Sequence, residues 1–138
     1  MDINSWDWIF QLLGRLHPLV VHFPIGLLVV ALFLEFLTLG GKRQGLREGI
    51  NWMVFLGAVF ALLAAVLGWL LRTYDDYEGD LVLFHQNAGI ATAVLAIVTG
   101  YLLYTTLKGK LTTYIYYRVG LFATVLVLVV AGHLGANL

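Results

Sequence analysis

Apolar residues fall into four long runs joined by short polar connections. The runs extend roughly over Pro18–Leu39, Ile50–Leu71, His85–Leu107 and Tyr114–Leu134. Each holds about 20 residues, enough to cross ~30 Å of hydrocarbon at ~1.5 Å rise per residue. Lipid cannot satisfy exposed backbone groups, so runs of this length predict helices. Short connections place consecutive helices antiparallel. The pattern therefore predicts an all-α fold: an integral membrane four-helix up-down bundle, with residues 1–138 as a single membrane domain. Ahead of the first run, Trp6, Trp8, Ile9 and Phe10 stand among Asp2, Asn4 and Asp7. Indole rings beside charges suit a short N-terminal interfacial helix in the headgroup region.

Composition agrees with the membrane reading. The chain is 61% hydrophobic and 12% charged, and its mean hydropathy is +0.90. A soluble domain of this size needs more charge to keep its surface in water. Cysteine is absent, which excludes disulfides, thiolate metal sites, iron–sulfur clusters and covalent haem attachment. A formal net charge of zero suggests no nucleic acid partner. The acidic start is unlike a secretory signal, so the first apolar run is expected to remain as a span.

Charge also sets orientation. Two connections carry Lys42, Arg43, Arg47, Lys108 and Lys110 against the single acid Glu48. The opposite side carries Arg15 and Arg72 against Asp2, Asp7, Asp75, Asp76, Glu78 and Asp80. The basic side is expected to be cytoplasmic. Both termini then lie outside, which is periplasmic in a bacterial inner membrane.

All four histidines fall on that outer side. His17 and His22 sit where the first run starts, His85 where the third starts and His133 where the fourth ends. Counting helical rise from the inner side puts His22 ~25 Å and His133 ~30 Å up their helices. His17 and His85 fall slightly nearer the outer surface. Polar side chains in a membrane tend to have a partner or a task, and neutral imidazole is a common ligand of iron, copper and zinc. Facing helices of a four-helix bundle can hold a haem between two histidines.

Small residues offer walls for such a group. His85, Gly89, Ala93, Ala96 and Gly100 follow one another at helical spacing, and Gly26 lies one turn after His22. A stripe of this kind also suits plain helix–helix packing. Pro18 suits a first helical turn. Pro24 leaves the carbonyl of Val20 without a donor and predicts a kink. His17 and His22 are five residues apart, which separates them by about 140° around an ideal helix. Arg15 and Arg72 could meet carboxylates of a bound group, with Trp69 and Tyr74 over its edge, or could simply anchor helix ends in headgroups. On the inner side, Glu35 and Arg118 lie at similar depth and predict a helix-to-helix ion pair. Tyr101, Tyr104, Tyr114, Tyr116 and Tyr117 read as an aromatic belt.

Three blocks carry a resemblance: Leu16–Leu28 (LHPLVVHFPIGLL), Phe84–Gly89 (FHQNAG) and Gly132–Gly135 (GHLG). Together they resemble a bacterial family of small four-helix, cytochrome b-like membrane proteins of unassigned function, which occur alone or joined to c-type cytochrome domains. The resemblance covers nearly the whole chain. It implies that His17, His22, His85 and His133 are the family's signature histidines. Members often continue with a further Gly and Thr-His-Gly, where this chain reads Gly135-Ala136-Asn137-Leu138.

The leading expectation is an electron carrier of a respiratory chain rather than an enzyme. It would bind one or two b-type haems in the outer leaflet and exchange electrons with a c-type cytochrome or a quinol. His22 with His85 is the first expected pair and His17 with His133 the second. Bis-histidine ligation leaves no open iron position. The alternatives are a non-haem copper, zinc or iron site on the histidine cluster, or a structural subunit of a larger membrane complex.

Overall fold

A computed structural model describes residues 6–41, 43–75, 77–110 and 112–138. Asp2, Asn4, Lys42 and Asp76, used above for placement and orientation, lie outside the described residues. Among the described residues six helices follow in order: α1 (Asp7–Gly14), α2 (His17–Val20), α3 (His22–Leu37), α4 (Arg47–Tyr74), α5 (Asp80–Leu107) and α6 (Thr113–Gly135). Two 3₁₀ turns, Leu39–Gly41 and Gln44–Leu46, join α3 to α4. No strand occurs among the described residues. The segments Asp7–Leu37, Gln44–Tyr74, Asp80–Leu107 and Thr113–Gly135 are all long and apolar enough to span a membrane. The protein is a four-helix membrane bundle.

The first span is α1, α2 and α3 in series. It breaks at Val21, three residues before Pro24. Pro24 has no N–H for the carbonyl of Val20, so the helical bonding lapses where the proline predicts, while the Val21 backbone keeps helical angles. Helical bonding continues on either side: Val21 N–H reaches His17 O at 3.0 Å, and Ile25 N–H reaches Val21 O at 3.3 Å.

The helix α1 is tied to the end of α4. Gln11 donates to the carbonyl of Tyr74 at 3.1 Å, Phe10 stacks on Tyr74 with centroids 5.3 Å apart, and Arg15 pairs with Asp75 at 2.9 Å. Gly14 lets the two backbones meet, since a Cβ there would lie 2.6 Å from Leu71 N. The expected interfacial helix is thus an extension of the first hairpin, with Trp6 and Trp8 exposed.

The helices form a ring in which α3 packs on α4, α4 on α5, α5 on α6 and α6 on α3. Helices α3 and α5 are therefore diagonal. Leu28, Ala31, Ile50, Val54, Ala96 and Leu121 fill the centre, while Phe33, Trp52, Val94, Phe122 and Leu126 face outward. An apolar coat of this kind suits lipid. Association in lipid relies on close packing of small residues and on hydrogen bonds across helices. Gly57 under Leu28 and Gly120 under Thr99 supply the former. Thr99 and Thr124, 3.0 Å apart, supply the latter.

The inner end is locked by Glu35, which is 3% exposed. Its carboxylate meets Arg118 at 2.7 Å and Arg47 at 2.8 Å. Tyr114 and Tyr117 donate to it at 3.0 and 3.1 Å. The expected Glu35–Arg118 pair is present, and Arg47 from α4 joins it. Two of the belt tyrosines turn inward to this carboxylate, while Tyr101, Tyr104 and Tyr116 remain exposed.

Candidate functional site

At the opposite end the helices enclose a cavity of about 500 Å³. Small residues open it: Ala61, Ala64 and Gly68 on α4, Gly89 on α5, Ala131 and Gly135 on α6. Pro18, His22 and Ile25 on α2 and α3, and Gly132 and Ala136 at the end of α6, line it while remaining exposed. The α4 and α5 lining is buried or half-buried. The cavity therefore opens on the side of α3 and α6.

Two imidazoles meet in it. His17, from α2, and His85, from α5, have ring centroids 5.9 Å apart and planes at 78°. His17 Nδ1 lies 2.8 Å from the carbonyl of Ala64 on α4. His85 Nδ1 lies 2.9 Å from the carbonyl of Ala131 on α6. A carbonyl only accepts, so each Nδ1 carries a proton, which leaves Nε2 as the nitrogen that can ligate a metal. A metal-binding histidine is typically oriented in this way. Each ring also lies against a glycine, Gly68 for His17 and Gly135 for His85.

The expected ligand pairs were His22 with His85 and His17 with His133; the rings that meet are His17 and His85. His22 is exposed at the cavity rim, and its Nδ1 is bound to the carbonyl of Pro18 at 2.7 Å. The break at Val21 puts the two histidines on separate helical segments, and His17 is the one directed at α4. His133 is exposed and does not line the cavity, so His17 and His133 form no pair.

The other expected residues divide similarly. Gly89 lines the cavity with open space where a Cβ would stand. Gly26 does not line it, being exposed with nothing within 4 Å of its Cβ position. Below Gly89 the stripe turns to packing, with Ala93 and Ala96 buried and Gly100 against Phe55. Arg72 lines the cavity and donates to Gln86. Arg15 does not line it and is occupied by Asp75. Tyr77, rather than Trp69 or Tyr74, lies at the edge. The carbonyls of Ala64 and Ala131 and the glycines beneath the rings were not singled out from the sequence. Their signal was there, since Ala64-Ala65-Val66-Leu67-Gly68 and Ala131-Gly132-His133-Leu134-Gly135 share the pattern A-x-x-L-G.

Among the described residues, no group of three or more His, Cys, Asp or Glu side chains comes together as a metal site. The donor set is a pair of imidazoles in an apolar cavity with one arginine in its lining.

A family model described as "Predicted membrane protein (DUF2231)" matches residues 15–138. The chain belongs to that membrane protein family. No curated protein and no solved structure matches it.

Proposed function

We propose that this member of the family is a b-type haem protein that carries electrons, with a single haem held between His17 and His85. The observation that carries the reading is the pair of rings 5.9 Å apart across the apolar cavity. Two imidazoles on one metal ion, at about 2.0–2.1 Å per bond, have centroids ~6 Å apart. The cavity, at about 500 Å³, is within the range of ~300–1,000 Å³ usual for bound organic groups. Its walls are apolar and small, which suits a flat macrocycle. Arg72 at the edge suits a propionate. When bound, haem supplies a one-electron iron couple. The chain's part is to present two Nε2 donors, exclude water with α4 and α5, and neutralise a carboxylate at Arg72.

Two imidazoles from the chain would leave the iron no open position, which favours a carrier over an oxygen-activating enzyme. A second haem has no support, since His22 and His133 do not come together. The partner is a c-type cytochrome or a quinol. The charge bias of the connections favours an orientation with both termini and the haem end on the outer side, which is periplasmic in a bacterial inner membrane.

The test is an absorbance spectrum of the protein purified in mild detergent from haem-replete cells, before and after dithionite. A Soret band with sharp reduced α and β bands, and one haem per chain by pyridine haemochrome, is the expected result. A featureless spectrum overturns the reading. Bound copper, zinc or iron without a Soret band would then indicate the non-haem alternative, and neither would indicate a structural subunit.

A further inference from the structure

The two paired histidines occupy equivalent places in an internal repeat. A shift of 67 residues carries the six buried positions of α6, from Tyr117 to Ala131, onto buried positions of α4, from Ile50 to Ala64. A shift of 68 carries the four buried positions of α3 (Pro24, Leu28, Ala31, Glu35) onto Thr92, Ala96, Thr99 and Leu103 of α5, all buried. Burial period alone recurs in any packed helix. The same shifts also carry His17 to His85, Ala64 to Ala131 and Gly68 to Gly135. In each half, Nδ1 meets the alanine carbonyl, at 2.8 and 2.9 Å. In each half, a Cβ on the glycine would lie against ring Cε1, at 2.9 and 2.8 Å. His22 and His133 have no histidine mates: the shifts pair them with Ile90 and Val66, both exposed.

The glycines differ from the packing glycines of this bundle. At Gly57 the atoms in the way belong to Leu28 and Leu27, and at Gly14 they are the backbone of Leu70 and Leu71. At Gly68 and Gly135 the three nearest atoms all belong to the imidazole. These two glycines are ring seats.

We propose that the chain is two copies of one imidazole-presenting hairpin, and that Gly68 and Gly135 are positioning residues that set His17 and His85 as equivalent ligands on either side of one metal centre. The proposal rests on the haem reading for the identity of that centre. The hairpins run in the same sense around the bundle, so an approximate two-fold axis along it passes between the rings. Each ring is fixed at two points, by a carbonyl and by a glycine one helical turn further on. A methyl on either glycine displaces the ring it touches and strains the bond to the carbonyl, so the ligand leaves its position. Equivalence predicts that the two substitutions act alike.

The experiment compares wild type with Gly68→Ala, Gly135→Ala and, as a packing control, Gly57→Ala. Electron paramagnetic resonance of the oxidised proteins reads the spin state, and thermal unfolding reads the fold. Wild type is expected to be low-spin. Gly68→Ala and Gly135→Ala should each convert most of the haem to high-spin, to within about twofold of each other, while Gly57→Ala lowers the melting temperature and stays low-spin. Low-spin signals unchanged in either ring-seat variant overturn the proposal. So does conversion by Gly57→Ala to the same extent.

A second readout keeps the proposal separate from the haem reading. In haem-free protein labelled with ¹⁵N-histidine, both rings should show the Nδ1–H tautomer. Each alanine should then shift the signals of its own ring only. If wild type binds no haem, the functional reading fails, and this spectrum still decides the clamp. Different tautomers at His17 and His85, or unmoved signals in either variant, overturn it.

Discussion

Replacing Glu35 by glutamine removes one charge and almost no volume. The carboxylate accepts two bonds from Arg47, one from Arg118 and one each from Tyr114 and Tyr117, at 2.7 to 3.1 Å. It joins α3 to α4 and α6. Its side chain is 4% exposed, against 23% for Arg47 and 25% for Arg118. Glutamine leaves two guanidinium groups facing a neutral amide. Removing one partner of a buried ion pair costs about 3–5 kcal/mol. Both arginines retain some access to water or headgroups, which screens them, so the lower end applies: about 3 kcal/mol. At ~1.4 kcal/mol per tenfold, the unfolding equilibrium should move by about a hundredfold. Unfolding in mixed micelles by titration with SDS, followed by far-ultraviolet circular dichroism, reads the shift. The triple replacement Glu35→Gln, Arg47→Met and Arg118→Met removes all three charges together, keeps an acceptor for the two tyrosines, and should recover most of the loss. A Glu35→Gln variant within ~1 kcal/mol of wild type would refute the reasoning. So would a triple variant less stable than the single one, because the cost is assigned to uncompensated charge and not to lost shape.

Three further outcomes are expected. His17→Ala and His85→Ala should each abolish the low-spin haem spectrum, whereas His133→Ala should leave it intact; a bleached His133 variant argues against the pairing seen here. Gly14→Val should release α1 from α4, since the added atoms meet Leu71 backbone at 2.6 Å. Limited proteolysis between residues 6 and 16 should then accelerate with the spectrum of the bundle unchanged, and protection equal to wild type counts against the contact. Thr124→Val should cost only about 0.6 kcal/mol, the usual size of a hydrogen bond between membrane helices. Thr124 already donates to the Gly120 carbonyl at 2.7 Å, so its bond with Thr99 has Thr99 as donor. A loss above ~2 kcal/mol in SDS titration means that this pair carries more of the bundle than its geometry implies.

Hydropathy alone specified the four spans, because the free energy of placing a segment in lipid depends on its own residues. Their ends extend beyond the apolar runs, as in α4, which starts at Arg47 rather than near Ile50. Polar residues at a helix terminus still complete backbone bonds, so helix ends and hydropathy ends differ. The interruption of helical bonding ahead of Pro24 was readable for the same local reason. The Glu35–Arg118 pair was readable from depth, while Arg47 was assigned to a connection and missed. It stands at the first turn of α4, close enough in space to reach back to α3.

The location of the candidate site at one end of the bundle was also present in the chain, since all four histidines lie there. So were A-x-x-L-G at Ala64 and again at Ala131, though a two-helix repeat is hard to see when lipid-facing positions vary freely. What the sequence by itself determined is depth: which residues share a level in the membrane. What only the tertiary structure decided is azimuth. Each residue turns the helix by about 100°, so side chains at one level can face different neighbours. His17 meets His85, while His22 stays at the rim and His133 is exposed outside the cavity. Depth follows from a sum along the chain, whereas facing is set by which helix packs against which.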